Sequence, residues 1–300
     1  MTENINGFIL NLDFYSGQDQ YCDGEIEQDL LEICKEQKAD QALESRNEWP
    51  VLYHLSKARE NLLEWYAFDK KGSLLEIGSG CGALTGLFCR RLARVAGIEL
   101  SRQRSRINAY KNRKCGKAEI YVGNFEQIRL TERFDYVTLI GVLEYSASYI
   151  SGKDPFDAML KKAGERLKSG GKLILAIENK MGLKYWAGAA EDHTGRAYDG
   201  ISDYAGISRV RTFTKGELTA MLNRNGYKNH AFYYPMPDYK LPFCIYSDEY
   251  LPKEGELRAM QYAYAGNNYE MFDENAAADM ICRENLFPYF ANSYLIITEK

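Results

Sequence analysis

Residues 191–193 read Glu-Asp-His, two carboxylates and an imidazole in succession within the polar stretch 188–196. In a loop, such a run suits proton transfer, with His193 as general base and Glu191 or Asp192 orienting its ring. A loop histidine satisfied by hydrogen bonds is the competing reading. A second constellation is the turn Glu76-Ile77-Gly78-Ser79-Gly80-Cys81-Gly82. Alternating glycines let the backbone take positive φ and leave no Cβ between main chain and ligand. N–H groups opening a following helix then suit an anionic or hydroxyl-rich ligand. Gly78, Gly80 and Ala83 also satisfy the dinucleotide pattern G-x-G-x-x-G/A. Glu99 does not discriminate, because either ligand class uses a carboxylate at this spacing for ribose hydroxyls. Glu76 does: a carboxylate inside the strand repels a pyrophosphate and suits a cation.

These residues need a scaffold, and the chain spells one out. Apolar strand-like runs at 73–77, 95–99, 119–122, 134–140 and 172–178 alternate with helical segments, among them 102–113. Such alternation calls for a mostly parallel α/β sheet with helices on both faces, binding ligands beyond the carboxyl ends of its strands. Glu76, Glu99, Asn124, Glu144 and Glu178 all fall at or near those ends. Leu167-Lys168-Ser169-Gly170-Gly171 reads as a helix end and glycine turn before the fifth strand. Farther on, Thr214 and Glu217 have capping-box spacing at the start of a helix over 214–225. A strand over 229–234 then expects an antiparallel partner at 293–298. Residues 1–70, with an acidic helix at 25–35 and helical apolar spacing over 49–68, precede the first strand, and 71–300 form the ligand-binding domain. Residues 235–290 form an insertion too long for a hairpin connection.

Bulk properties narrow the classes. Three hundred residues with a net charge of −4 can bury a full core and carry no global basic field for nucleic acid. The basic run Arg90, Arg91, Arg94, Arg102, Arg104, Arg106, Lys111, Arg113, Lys114 and Lys117 reads as a solvated helix face. Seven cysteines without a C-x-x-C pair argue against a disulfide framework and a zinc site, and Cys81 and Cys89 read as apolar fillers; no metal is expected. No signal-like segment or long apolar span is present, which predicts a cytoplasmic protein with no membrane contact. His54 reads as a lid or packing residue and His230 as structural. Arg209 and Arg211 are weaker candidates for holding an anion, and Asp238 and Lys240 for gripping a sugar in a Tyr-rich loop that is otherwise read as packing.

Glu76-x-Gly78-x-Gly80-x-Gly82 resembles the first motif of class I methyltransferases that depend on S-adenosylmethionine (SAM). Gly123-Asn124-Phe125 and Gly141-Val142-Leu143-Glu144-Tyr145 match that class in order. The stretches 49–56, 139–145, 176–186, 191–195 and 235–242 look like a bacterial family of such enzymes, similar to domains beside or fused to glycosyltransferases in cell-surface polysaccharide pathways. The resemblance implies a Rossmann-like fold with a seven-stranded, mostly parallel sheet and an antiparallel last strand, and it assigns residues 1–70 to a lid over the cofactor. It implies SAM as cofactor, leaving as S-adenosylhomocysteine, held by Glu76, Gly78, Ser79, Gly80, Gly82, Glu99, Leu100, Asn124, Phe125 and Gly141. Asn124 would meet the adenine amino group and Phe125 its ring. The implied reaction is O-methylation of a sugar, glycan or other polyhydroxylated small molecule, with a glycosyltransferase as a candidate partner. RNA methylation competes, although neither Asn/Asp-Pro-Pro-Tyr nor Pro-Cys stands at strand four. A nicotinamide-dependent enzyme and a non-catalytic SAM-binding protein compete as well.

Overall fold

The computed structural model describes residues 1–116, 118–205, 209–258, 260 and 271–300. Lys117 of the basic run and residues 259 and 261–270 of the insertion lie outside the described residues. The chain forms two compact units, residues 1–139 with 163–172, and residues 140–162 with 173–300.

The first unit begins with the hairpin β1 (Thr2–Ile5) and β2 (Phe8–Asn11). Helices α1 (Ile26–Lys35), α2 (Ala39–Ser45) and α3 (Trp49–Leu55) follow. The helical spacing over 49–68 does not yield one helix. Ser56 is extended at ψ 134°, and its hydroxyl caps a separate 3-10 turn by accepting the Ala58 N–H. Strand β3 (Ser73–Ile77), α4 (Thr85–Arg91), β4 (Arg94–Glu99), α5 (Arg102–Lys111), β5 (Ala118–Val122) and β6 (Phe134–Ile140) then alternate. Strand β3 is buried at every position, as expected for a central parallel strand covered on both faces. It pairs in parallel with β4 and β6, and β4 with β5. Strand β2 joins β5 in parallel, so the first eleven residues extend the sheet in the order β1-β2-β5-β4-β3-β6. Phe8, Leu10, Ala109, Ile120 and Val122 pack beneath this edge.

In the second unit, Ser146–Tyr149 forms α6, and Pro155–Glu165 forms α7, which runs into the first unit. Strand β7 (Leu167–Glu178) begins earlier than the sequence suggests. The stretch read as a helix end is already strand, with Gly170 at φ +73°. After α8 (Leu183–Trp186) comes α9 (Lys215–Arg224), where Thr214 and Glu217 form the expected capping box. Strand β8 (Lys228–Met236) pairs antiparallel with β9 (Cys244–Ser247). Helices α10 (Glu274–Arg283) and α11 (Phe287–Phe290) lead to β10 (Ser293–Glu299), antiparallel to β8. The unit's strands run in the order β7-β10-β8-β9. The fold is thus Rossmann-like and mostly parallel with antiparallel C-terminal strands. Beyond the seven expected strands, β1, β2 and β9 are additional.

One cysteine expectation is corrected. Cys89 is not a filler but is paired with Cys115 as a disulfide, because the packing of α4 beside the turn after α5 brings their Cα atoms to 5.6 Å. Cys81 is a free thiol packed with Leu30, Leu55 and Ile107. Among the described residues no helix is long and apolar enough to cross a membrane.

Candidate functional site

The glycine turn follows β3 directly. Gly78, Gly80 and Gly82 have φ of +74°, +51° and +77°, the left-handed region that a side chain strains. Its N–H groups are committed within the protein. Those of Gly78 and Ser79 donate to Ile98 O, that of Gly82 to Ser79 O, and that of Gly80 to Glu99 Oε2 at 2.8 Å. A pyrophosphate would find those four donors taken. Glu99 Oε1 also accepts the Ser101 N–H, so one buried carboxylate ties the turn to the start of α5.

A polar chain secures the other side. Thr85 donates to Glu76 Oε2 at 2.6 Å and accepts from Asn108 Nδ2, while Asn112 Nδ2 donates to Asn108 Oδ1 and to Gly82 O. Burial, with the Glu99 charge adding, pushes the Glu76 carboxyl up to about 8, so it is largely protonated at neutral pH. A cation beside it would draw that proton off. Gly82→Ala tests the clamp. Its Cβ would fall on Asn108 Oδ1 and 2.5 Å from Asn112 Nδ2. The left-handed backbone alone should cost about 1–3 kcal/mol, read by denaturant unfolding.

The acidic N-terminal segment is fastened to this turn. Asp19 sits on the amino end of α5, accepting the Arg102 and Gln103 N–H groups and the Ser101 hydroxyl. Asp23 meets Arg104 at 3.5 Å and the buried His54 at 3.3 Å. Arg104 in turn lies over the Tyr21 ring and 3.4 Å from where a Cβ on Gly80 would stand. The basic run is largely neutralised in the same way. Arg102 and Arg106 pair with Glu3, Arg94 with Glu119 and Glu132, and Arg90 with Glu60.

The second constellation is built by four segments: the 3-10 turn after β6, the end of β7, the loop after α8, and residues 238–240 after β8. They converge on Glu144, Glu178, His193 and Lys240. Ligand atoms of Glu144, Glu178 and His193 lie within 4.8 Å of one another, and both glutamates are fully buried. His193 Nδ1 is 3.0 Å from Tyr145 Oη, and its Nε2 faces Glu178 Oε2 at 3.5 Å. Lys240 Nζ lies 2.6 Å from Glu178 Oε1 and from Asp192 Oδ1. Both Glu144 oxygens are buried without a hydrogen-bond partner.

Electrostatics follow from this crowding. Burial alone would lower the His193 pKa, but the Glu178 carboxylate outweighs it and lifts the imidazole to about 9. The ring is therefore cationic at neutral pH. Burial, then the Glu178 charge, raises the Glu144 carboxyl to about 8. Burial would raise Glu178 too, yet Lys240 and His193 hold it well below the usual carboxylate range.

The flanking acids have other tasks than orienting the ring. Glu191 Oε2 accepts the His193 and Thr194 backbone N–H groups and Oε1 the Tyr204 hydroxyl, which fixes the loop. Asp192 binds Lys184, Tyr185 and Lys240. The ring is placed by Tyr145 and Glu178 instead. Sequence does not reveal either partner, because the loop and the strand ends are 15 or more residues apart. Lys240, a sugar-gripping candidate by sequence, meets Glu178.

The remaining candidates disperse. Gly141, at φ +67°, has no room for a Cβ, which would stand 2.9 Å from Tyr239 Oη and 3.6 Å from Glu144 Oε1. It belongs to the second constellation. Asn124 Oδ1 caps its own turn by accepting the Glu126 N–H, Phe125 is buried, and Leu100 is half-buried after Glu99. Ser79 Oγ is buried without a partner. Arg211 pairs with Asp203, and its N–H donates to Glu144 O, while Arg209 is exposed. His230 bonds Thr298 and Asn223, a structural role.

Residues 50–231 match the family model described as Methyltransferase domain. A SAM-dependent methyltransferase from Thermotoga maritima is 16% identical over 87% of this chain and 97% of its own, with a TM-score of 0.47. One from Archaeoglobus fulgidus is 14% identical over 83% and 94%, with a TM-score of 0.48. Phosphoethanolamine N-methyltransferase 1 of Haemonchus contortus, in complex with phosphoethanolamine and S-adenosylhomocysteine, is 11% identical over 93% of this chain and 50% of its own, at a TM-score of 0.50. No curated protein matches the chain. With more than half of its length matched by the model, the chain belongs to the methyltransferase domain family and is an enzyme of the SAM-dependent methyltransferase fold.

Proposed function

We propose that the chain methylates a hydroxyl group of a small polyhydroxylated acceptor, a sugar or glycan unit, at the cluster of Glu144, Glu178 and His193. The observation that carries this reading is a buried acid–base cluster whose Glu144 carboxyl has no partner of its own. An amine nucleophile needs no such apparatus once neutral, whereas a hydroxyl must lose its proton as its oxygen attacks. SAM, when bound, supplies a methyl group on a sulfonium, already an excellent leaving group. The acceptor oxygen forms the new O–C bond as the C–S bond breaks, its electron pair staying on sulfur. The acceptor proton passes to His193 in the fraction of molecules whose ring is neutral, a fraction that grows as pH rises toward about 9, with Glu178 and Tyr145 fixing the ring. Glu191 and Asp192 hold the loop, and a glycosyl-transfer reaction would supply the acceptor.

The donor residues in this reading are Glu76, Gly78, Ser79, Gly80, Gly82, Glu99, Leu100, Asn124 and Phe125. They fit: Gly78, Gly80 and Gly82 hold the turn in the left-handed region, Ser79 Oγ lacks a partner, and Glu76 Oε1 stays available beside its Thr85 bond. Residues 1–70 act as a cap anchored through Asp19 and Asp23. Glu99→Ala should weaken SAM binding by about 1–3 kcal/mol, because the Gly80 and Ser101 N–H groups and the ribose hydroxyls lose their acceptor. Unchanged affinity in calorimetry would remove the ribose role.

A screen of nucleotide sugars, glycans, small phenols, amines and RNA, with products read by mass, tests the acceptor class. An O-methylated polyhydroxyl product is expected. Transfer confined to amines, or robust salt-sensitive retention and methylation of tRNA or rRNA, would overturn it. The paired basic run and the net charge of −4 support a small acceptor over RNA.

A further inference from the structure

We propose that Glu144, Glu178 and His193 form a binding site for a divalent transition-metal cation, one that presents the acceptor hydroxyl for methylation. The inference rests on the acceptor-site reading and deepens it: with the ion bound, Glu144 and His193 serve as its ligands, and the acceptor hydroxyl, acidified by the ion, releases its proton to solvent instead of to the ring. Two carboxylates and one imidazole offer one ligand atom each, all mutually within 4.8 Å, from three different segments. Their combined carboxylate charge balances a divalent ion, and the mixed oxygen–nitrogen set suits Mn²⁺ or Zn²⁺.

The second, independent observation is the state of Glu144. Its carboxyl is fully buried, and among the described residues neither oxygen meets a donor from any residue other than Glu144 itself. Buried polar groups are satisfied almost everywhere in folded proteins, so an orphaned carboxyl inside a cluster of metal-ligating atoms calls for a partner, and an ion supplies one. His193 is oriented for the same purpose. Nδ1 is 3.0 Å from Tyr145 Oη and Nε2 faces Glu178 Oε2 at 3.5 Å, so an ion that displaces the Nε2 proton meets a lone pair aimed at the carboxylates. A hydrogen bond that fixes the tautomer from behind is the usual outer support of a metal-bound histidine.

The surroundings hold the ligands in place. Lys240 occupies Glu178 Oε1, leaving Oε2 on the His193 side. The Arg211 N–H holds the Glu144 backbone, and the Glu191 carboxylate holds that of His193. Gly141 has no Cβ, and the position one would take lies 2.9 Å from Tyr239 Oη and 3.6 Å from Glu144 Oε1. Three protein ligands leave coordination positions for substrate oxygens. A hydroxyl bound there becomes more acidic, and vicinal hydroxyls would chelate.

The test uses the full chain after chelator treatment and dialysis, with Mn²⁺ as probe, calorimetry for affinity and pulsed electron paramagnetic resonance for ligand identity. One Mn²⁺ per chain with a nitrogen coupling from a single histidine is expected. Glu144→Gln and, separately, His193→Gln should each weaken Mn²⁺ binding by about tenfold or more. S-adenosylhomocysteine binding should be unchanged in both variants, and His54→Ala should retain the metal. No saturable Mn²⁺ binding by the wild-type chain, no nitrogen coupling, or equal affinity in a folded Glu144→Gln variant overturns the site. If S-adenosylhomocysteine binds and Mn²⁺ does not, only the metal assignment falls. If S-adenosylhomocysteine itself does not bind, the methyltransferase reading fails on its own account.

Discussion

Replacing His193 by alanine is expected to lower turnover by roughly 10²–10⁴-fold while leaving SAM affinity unchanged. The ring joins Tyr145 to Glu178, through Nδ1 at 3.0 Å and Nε2 at 3.5 Å. Removing it takes away the atom through which the acceptor proton leaves and sets Glu178 beside Glu144 with no cation between them. The donor residues are a separate set, and none of them is altered. A parallel titration with S-adenosylhomocysteine therefore distinguishes lost chemistry from lost folding. Turnover equal to wild type would remove His193 from the mechanism.

The second large effect is a pH-linked change in SAM affinity set by Glu76. Its carboxyl, lifted to about 8 by burial and by the charge of Glu99, carries a proton in the ligand-free protein at pH 6. Binding an ammonium and a sulfonium favours the carboxylate, so the proton must leave on binding. The sign follows: the bound state holds fewer protons, hence affinity rises with pH while Glu76 is protonated when free. The slope is about tenfold per unit well below pH 8, or about 50-fold between pH 6 and pH 8, if the carboxyl is ionised throughout in the complex. Above about pH 8 the ligand's own amino group loses its charge and affinity falls again. Lys111, whose burial brings its ammonium down to about 8, titrates in the same range. Glu76→Gln assigns the effect, since the variant should show a flat acid limb. A wild-type affinity independent of pH between 6 and 8 would show that Glu76 does not meet the cation.

Sequence and structure agree most closely where local signals suffice. Strand β3 is a continuous apolar run into glycines, and α9 carries its cap in Thr214 and Glu217, so both are legible within a dozen residues. The pairing of β2 with β5 is not legible, because a parallel register between residues 9–11 and 119–121 leaves no local trace. The Cys89–Cys115 pairing likewise depends on how α4 packs rather than on spacing. At the site, Glu76 and Glu99 are legible from their distance to the glycines. Glu144 and Glu178 are visible only as acids at strand ends. Their meeting with His193, and the arrival of Lys240 from beyond β8, are products of the tertiary fold. The run Glu191-Asp192-His193 suggests that adjacent acids orient the ring. In the folded loop they are taken up by backbone N–H groups, Tyr204, Tyr185 and two lysines.

The claim on which the account stands is that the turn after β3 receives a cationic methyl donor and not a diphosphate. Calorimetric titration of the wild-type chain with SAM, S-adenosylhomocysteine and NAD addresses it directly. The account predicts one SAM or S-adenosylhomocysteine per chain and no heat from NAD. Selective binding of NAD, with neither adenosyl ligand competing, would contradict it.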